Sequence, residues 1–413
     1  MFRSICELAR KFPASVQGHA AIITALAAPV LVGSAGLGIE AGLWFYQQRV
    51  AQMAADVSAY AGAAAARAGE NESAIQAAAQ EEAGRHGYDA ALGSLTVNHP
   101  PTSGWNQNVR SVEVILDQTH PRLLSSLFLN NDVTMSVRAV ATFQEPGPAC
   151  ILALDQFDSD ALTFTGSSAA TLTDCELMSN SIASDALTVE GSGTVTTTCA
   201  NAVGEVEATA NLSMTECDEP RENLPPAPDP YEDLPAPAIP SGCRSVPGAA
   251  NQVQTIQPGH YCNGMNIHNS VDMEPGVYVL SDDLVINGGA SVVGDGVTIY
   301  LRNNANVRMN GTGYVDLTAP MSGTYAGVVF FGDRNNGSAV DAIFNGTADS
   351  SLEGALYFPN QEVQMNGDFT GSGGCTRIVA RWVDVSGNTS FDSNCSNSSI
   401  DTIDVPGLIQ LTE

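Results

Sequence analysis

Nine cysteines and a scatter of acids are the residues of this chain whose types and spacing could do chemistry. Cys6 stands alone ahead of a long apolar stretch. The other eight, Cys150, Cys175, Cys199, Cys217, Cys243, Cys262, Cys375 and Cys395, all follow it. An even set on one side of an apolar segment, with the odd thiol on the other, is the pattern of disulfides formed in an oxidising compartment. We expect nearest-neighbour pairs, 150 with 175, 199 with 217, 243 with 262 and 375 with 395, although spacing leaves other connectivities open. Zinc is a poor alternative, because the cysteines show no CxxC spacing and no histidine partner set.

The acids could in principle form the paired carboxylates of a glycosidase. The candidates are Asp282, Asp283, Asp295, Asp333 beside Arg334, and Asp341. Among 45 acids, however, isolated carboxylates are ordinarily solvated, and Asp333 with Arg334 reads as a loop ion pair. Bases are scarce beyond the apolar stretch, where there is no lysine and the histidines are His86, His99, His120, His260 and His268. Walker, GxSxG, Rossmann, EF-hand and nonapeptide calcium motifs are all missing from the sequence. The expectation is therefore no catalytic residue, no cofactor and no metal. A net charge of -29 also argues against nucleic acid and against docking on anionic lipid headgroups.

Something must hold these residues where they act, and the first element is apolar. Ala20 to Ile39 is a run of 20 uncharged, mostly apolar residues, followed after Glu40 by Leu43, Trp44, Phe45 and Tyr46. That is the length of a membrane-spanning helix with an aromatic belt at its outer end, and it exceeds the apolar core of a cleaved signal peptide. Arg3, Arg10 and Lys11 against Glu7 give the leader +2, whereas the 13 Arg and 43 acids from Gln47 onward give -30. Positive charge on one flank marks the cytoplasmic side, so the bulk of the chain is expected to cross. Glu40 lies inside a Gly38-x-x-x-Gly42 pattern. It either reaches up to the interface or is satisfied by another helix that the two glycines admit.

Gln47 to Ala83 is dominated by alanine, the best helix former, with no proline before Pro100. Its small stripe of Val50, Ala54, Val57, Ala61 and Ala64 or Ala65 suits packing on the chain itself or bundling with partner subunits. Period-two alternation predicts strands at Val112, Val114 and Leu116 and at Val133 to Ala141, with a short helix from Arg122 to Leu129 between them. From Cys150 the composition turns to Thr, Ser, Gly, Asn and Val. Short runs recur there at Ala161 to Thr165, Ala170 to Leu172, Ala186 to Val189 and Gly193 to Thr198. Eight prolines among acids in Glu219 to Pro240 read as an extended linker or a strap.

Asn287-Gly288, Asn310-Gly311, Asn345-Gly346 and Asn366-Gly367 are separated by 23, 35 and 21 residues, with Gly387-Asn388 another 22 on. Most of these intervals approximate one coil of a parallel β-helix, with Asn and Gly at left-handed corners and short strands such as Leu284 to Ile286 and Val297 to Leu301 between them. An antiparallel sandwich of Asn-Gly hairpins is the alternative. The apolar runs Val328 to Phe331 and Ala355 to Phe358 should be core strands.

The segment from Gly18 to Ala66 resembles the N-terminal region of TadG-like proteins of the Tad (Flp) pilus-assembly system. The likeness rests on the Gly18 start, Pro29 within the span, the Gly-rich exit with Glu40, and Arg49, Gln52, Ala55 and Asp56 leading into polyalanine. Leu317 to Asn335 and Leu352 to Gly367 are similar to C-terminal parts of the same family. Two departures stand out. Ile23 occupies the place five residues after Gly18 where related minor pilins have glutamate, and no DxSxS motif of a von Willebrand A domain is formed, since Asp56-Val57-Ser58 runs to Tyr60 and Asp384-Val385-Ser386 to Asn388. The resemblance implies a non-enzymatic, membrane-anchored pilus-assembly component, with minor pilins or inner-membrane assembly proteins as partners. Gly38, Glu40, Gly42, Gln52 and Asp56 would then form its helix-packing surface. A membrane-tethered β-helix that binds or degrades glycans is the competing class.

The expected fold is mainly β with an N-terminal transmembrane α-helix, a parallel β-helix-like ectodomain on a small α/β module. Its expected parts are a cytoplasmic leader (1–18), a transmembrane helix (19–46), an Ala-rich helical stalk (47–90), the α/β module (91–146), a first β-rich part (147–218), a Pro-rich linker (219–242) and a second β-helix-like part (243–413). The expected location is the bacterial inner membrane, single-pass, with the N-terminus cytoplasmic and the rest periplasmic.

Overall fold

A computed structural model describes residues 16–127, 129–144, 147–166, 170–208, 211–248, 252–338, 341–346, 350–367, 369–386, 389–392 and 399–413. The chain divides into two compact units, residues 1–144 with 408–413, and residues 145–407.

The first unit is built on one long helix, α1 (Val16–Arg67), that carries Pro29 inside it and is long and apolar enough at its start to cross a membrane. Its apolar first half lies open, with Ile22, Leu26, Val30 and Ile39 all exposed. Its second half packs on an antiparallel sheet made of β1 (Gly93–Asn98), β2 (Ser111–His120), β3 (Val133–Phe143) and a C-terminal strand, Ile409–Leu411, in that order. A second helix, α2 (Glu72–Arg85), folds back on α1. Gly69, at a positive φ of 76°, makes the turn between them, and the Asn71 side chain caps α2 by accepting from the Ala74 amide at 3.1 Å.

Residues 47–90 are therefore a helical hairpin seated on its own sheet rather than a free stalk. Ala51, Ala54, Ala55, Ala59 and Ala63 are buried against Val112, Val114, Leu116, Val137, Ala139 and Ala141. Of the stripe expected from sequence, Ala54 lies in this core and Ala64 and Ala65 pack partly buried against it, whereas Val50, Val57 and Ala61 are half-buried outside it. The difference is a rotation toward the smallest residues, because the helix backbone approaches the sheet closely: a Cβ placed on Gly62 would lie 2.9 Å from Val112 Cγ1. The alternation in β2 and β3 is as expected, with Val112 opposite Ala141, Val114 opposite Ala139 and Leu116 opposite Val137. The helix expected over Arg122 to Leu129 is instead a single 3-10 turn, Ser125–Leu127.

The second unit is a parallel β-helix-like solenoid. Each full coil contributes three short strands, and within the described residues its ladders are parallel except where Ile403–Asp404 runs antiparallel to residues 148–149. Parallel pairing excludes the hairpin sandwich. From one end of the stack to the other, successive coils take their strands from residues 200–214, 176–197, 148–173, 376–392, 354–370, 328–353, 297–318, 276–294 and 259–273, and a last strand, Gln254–Ile256, follows. We number these coils 1 to 9.

Stacking order and chain order thus differ. The chain enters at coil 3, walks outward to coil 1, leaves the stack, re-enters beyond coil 9 and winds back until coil 4 closes on coil 3 through Ile378 opposite Ile151 and Val383 opposite Leu162. The two β-rich parts expected from sequence are one stack. A single core runs through it, including Phe164, Leu187, Ile286, Phe330, Phe344 and Leu356.

The Asn-Gly pairs mark one corner of the solenoid, stacked in register where Asn345 lies opposite Asn366 and where Ile286, Met309 and Phe344 align just before them. Their backbones are not left-handed as expected: Asn287, Asn310, Gly288 and Gly311 all have ordinary φ, and the nearby positive φ belongs to Gly289 at 81°. At one of these corners the asparagine side chain bridges neighbouring coils, with Asn287 Nδ2 donating to Asn266 Oδ1 at 2.6 Å and to Ile267 O at 3.1 Å. Gly387 and Asn388 lie outside the described residues.

Residues 219–242 form the strap. Coil 1 holds its start, where the Leu224 amide donates to Ala202 O, and Asn180 of coil 2 brackets Ala227 by donating to its carbonyl at 2.9 Å and accepting from its amide at 2.8 Å. Arg334 of coil 6 donates to the carbonyls of Tyr231, Glu232 and Leu234. The far end is fixed at coil 9, where the Arg244 amide donates to His260 O at 2.7 Å. Both ends are covalently tied, by Cys199–Cys217 and by Cys243–Cys262, while Cys150–Cys175 joins coils 3 and 2. Cys375 is also disulfide-bonded; Cys395 and Cys6 lie outside the described residues.

The strap lies where the sequence most needs cover. One residue of the first strand in each of coils 2 to 8, Val279, Tyr300, Phe331, Tyr357, Val379, Leu152 and Met178, stacks in register on the side away from the core, and all are buried. Strands apolar on both sides need a layer on each. Tyr231 of the strap packs its ring 5.2 Å from that of Tyr357, and the Arg334 guanidinium lies 5.3 Å from the rings of both Phe331 and Tyr357.

Candidate functional site

The residues that sequence pointed to as a packing surface fall on α1, where the structure separates them into two groups. Glu40 is 1% exposed. Its carboxylate accepts from the Leu123 amide at 2.8 Å, the Ser125 amide at 2.7 Å and the Ser125 hydroxyl at 2.7 Å. All three donors come from the loop between β2 and β3, which closes on α1 as a clasp. The carboxylate caps the start of the 3-10 turn by accepting from amides that have no partner within it. Leu124 packs onto Gly36, whose missing Cβ leaves room for the Leu124 side chain, and the Arg122 guanidinium lies 5.6 Å from the ring of Trp44.

Gln52 and Asp56 also turn inward to the chain. Gln52 Nε2 donates to Asp56 Oδ1 at 2.7 Å and to Arg138 O at 3.0 Å, linking α1 to β3. Gly38 and Gly42 behave differently. A Cβ on either would meet nothing within 4 Å, so this pair of glycines stays open on the helix surface while Glu40 between them is satisfied by the clasp.

The candidate acids are dispersed and engaged. Asp282 accepts from the Asp283 amide at 2.9 Å, Asp283 from the Asn306 amide at 2.8 Å, and Asp295 from the Thr318 hydroxyl at 3.2 Å. Asp333 accepts from the Tyr300 hydroxyl at 2.6 Å and from the backbone and side chain of Asn335; burial works against its charge, but these bonds outweigh it and hold its carboxyl below the usual range. It is not ion-paired with Arg334, whose guanidinium is drawn away to the strap carbonyls. Asp341 lies opposite Glu362 across neighbouring coils, and burial, together with the charges of Asp341 and Asp384, pushes the Glu362 carboxyl up. Among the described residues no group of three or more His, Cys, Asp or Glu side chains is arranged to hold a metal.

Under the strap lies an open cleft of about 550 Å³ lined by residues that include Gln156, Asn180, Asp229, Arg334, Tyr357 and Asn360. Burial raises the Asp229 carboxyl, which accepts from the Tyr357 hydroxyl at 2.8 Å. Several polar groups lining it are therefore occupied in fastening the strap.

Comparison with protein-family models, curated proteins and solved structures returns no match. The geometry therefore stands on its own. It includes three arrangements that sequence reading did not single out. The clasp residues Leu123 to Ser125 looked like a short helix, and nothing local ties them to Glu40, 85 residues away from Ser125. Asn180 gave no signal, and Arg334 pointed only to an ion pair with Asp333 and not to the strap. The third is a network on the far side of the sheet in the first unit, where Glu113 is fully buried and accepts from Asn98, Thr102, Ser103 and Arg138, the last at 2.6 Å, while Arg138 also pairs with the C-terminal residue Glu413. The one signal that could have found it is a charged residue, Glu113, placed between Val112 and Val114 in a strand.

Proposed function

We propose that the protein is a non-enzymatic component of Tad (Flp) pilus assembly, anchored in the bacterial inner membrane by α1, with its N-terminus cytoplasmic and its folded units in the periplasm or at the cell surface. The observation that carries the reading is the continuity of α1. The same residues that resemble the TadG-like anchor, Gly18 to Ala66, fall in one helix whose first half is an apolar membrane-length segment and whose second half is built into a folded unit. A helix made this way transmits position from the bilayer to the folded unit without a hinge of loop. The disulfides favour the oxidising side of the membrane for the rest of the chain.

The partner surface on this reading is the open face at Gly38 and Gly42, where small residues admit a second helix from a minor pilin or an inner-membrane assembly protein. Glu40 takes no part, since its hydrogen bonds are filled within the chain. The solenoid serves as a spacer or adhesive surface.

Deletion of the gene, followed by electron microscopy for surface pili, tests the proposal. Full-length protein should restore pili. A form lacking residues 145–407 should not, if the solenoid belongs to the function. That internal deletion is the right variant because Ile409–Leu411 and Glu413 complete the first unit, and the Gln144 amide donates to Leu408 O at 3.0 Å, so a short Gly-Ser linker can join the two sides. Unaltered piliation on deletion would reject the assembly role and turn attention to glycan binding by the solenoid.

A further inference from the structure

We propose that the loop between β2 and β3 is a second membrane contact, inserting leucines into the outer leaflet of the same bilayer that α1 spans. The proposal rests on the anchor reading of α1 and adds a separate element to it. Leu123, Leu124, Leu127 and Leu129 are 42–77% exposed, an unusual cluster for one short loop on a folded unit. From Leu123 to Asn131 the loop carries no charge, and Arg122 and Asp132 stand at its two ends.

The clasp sets the depth of these leucines. Leu124 lies on Gly36, three residues before the end of the apolar run at Ile39 and eight before Trp44. At about 1.5 Å of rise per residue, Leu124 is roughly 5 Å below the end of the run and about 12 Å below the tryptophan. The hydrocarbon of one leaflet is about 15 Å thick, and interfacial elements commonly reach about 5–10 Å into it. A loop fixed at this height cannot keep its leucines in water if α1 spans the membrane.

Two further features fit lipid as the occupant. A carboxylate at that depth is expensive unless its hydrogen bonds are filled, and Glu40 receives three donors from this very loop. Arg122 lies against Trp44, the position from which a guanidinium reaches back toward the headgroups. The strongly acidic chain has no use for headgroup attraction here, so the contact is apolar.

The test uses the full-length protein with Cys6→Ser, purified without reductant and reconstituted in phosphatidylcholine–phosphatidylglycerol vesicles. Single cysteines at Leu127, or at Leu129 as a second position, carry an environment-sensitive fluorophore; Val30→Cys reports the middle of the apolar run of α1 and Glu190→Cys, exposed on the solenoid, reports water. Lipids with a nitroxide near the carbonyl end of the chain should quench the loop probes several-fold more than the Glu190 probe, and lipids with a nitroxide near the methyl end should quench Val30. If Val30 is quenched and both loop probes behave like Glu190, the loop contact is refuted while the anchor stands. If Val30 is not quenched either, the anchor reading fails and the loop contact falls with it.

Discussion

Glu113→Gln is the substitution whose effect the structure specifies most fully. The Glu113 carboxylate is 0% exposed, and although burial alone would raise it, the donors Ser103, Arg138, Asn98 and Thr102 outweigh burial and hold it at about 2, against an ordinary value of 4.5. A folded value below the unfolded one stabilises the fold fully above about pH 4.5 and ceases to do so as the pH falls toward 2. The difference of 2.5 units, at about 1.36 kcal/mol each, amounts to roughly 3 kcal/mol at neutral pH. Gln keeps the shape but turns an amide NH2 toward groups that are themselves donors, so the variant should lose about that much at pH 7. Urea unfolding of the full-length protein in micelles, with Trp382→Phe so that Trp44 and Trp105 report the first unit, gives the comparison at pH 7, 4 and 3. The gap between wild type and variant should shrink steadily as the pH falls. A gap of under 1 kcal/mol at pH 7, or one that does not change with pH, would refute the reasoning.

Arg334→Ala removes three donations to strap carbonyls, and with charged donors worth about 1.5–3 kcal/mol each and not additive, local opening of the strap should become easier by about 2–4 kcal/mol. Hydrogen-exchange mass spectrometry should show amides in residues 229–236 exchanging at least tenfold faster, with the strands of coil 2 unchanged. Replacing Cys199 with Cys217, or Cys243 with Cys262, by serine opens loops of 18 and 19 residues and should lower stability by about 3 kcal/mol for each pair. Replacing both pairs should expose the strap to limited proteolysis at neutral pH, which neither single pair should do while the other end and Arg334 hold.

Much of the architecture was legible because it follows from local pattern. The apolar run of Ala20 to Ile39 and the short strands such as Leu284–Ile286 could be read directly, and the spacing of the Asn-Gly pairs found the coil repeat even though their corners are not left-handed. Val328 to Phe331 and Ala355 to Phe358 were rightly read as core strands, and being apolar at every position they also demanded a second covering layer that Tyr231 helps provide. Gly69 and Asn71 were signals of a helix break that the alanine content masked. What could not be read was anything fixed by distant partners. The order of coils depends on Ile378 meeting Ile151, and the seat of Glu40 on a loop 85 residues away. Residue type at Glu40 says only that a partner is needed.

The strap has a meaning for the length of this molecule as well as for its stability. In an ordinary solenoid coils can be added or lost at either end, and each change is felt only by the nearest neighbour. Here both outermost coils are interior to the chain, and a tether of fixed length, fastened by a disulfide at each end, runs between them. Inserting one coil anywhere in the stack would move the fastenings apart by about 4.8 Å, and an extended proline-rich segment gains only about 3.1 Å per residue. Duplication of a coil would therefore have to be matched by one or two residues in a segment far away in sequence. The strap acts as a ruler, and a lineage that changed the reach of this protein would be expected to record the change twice.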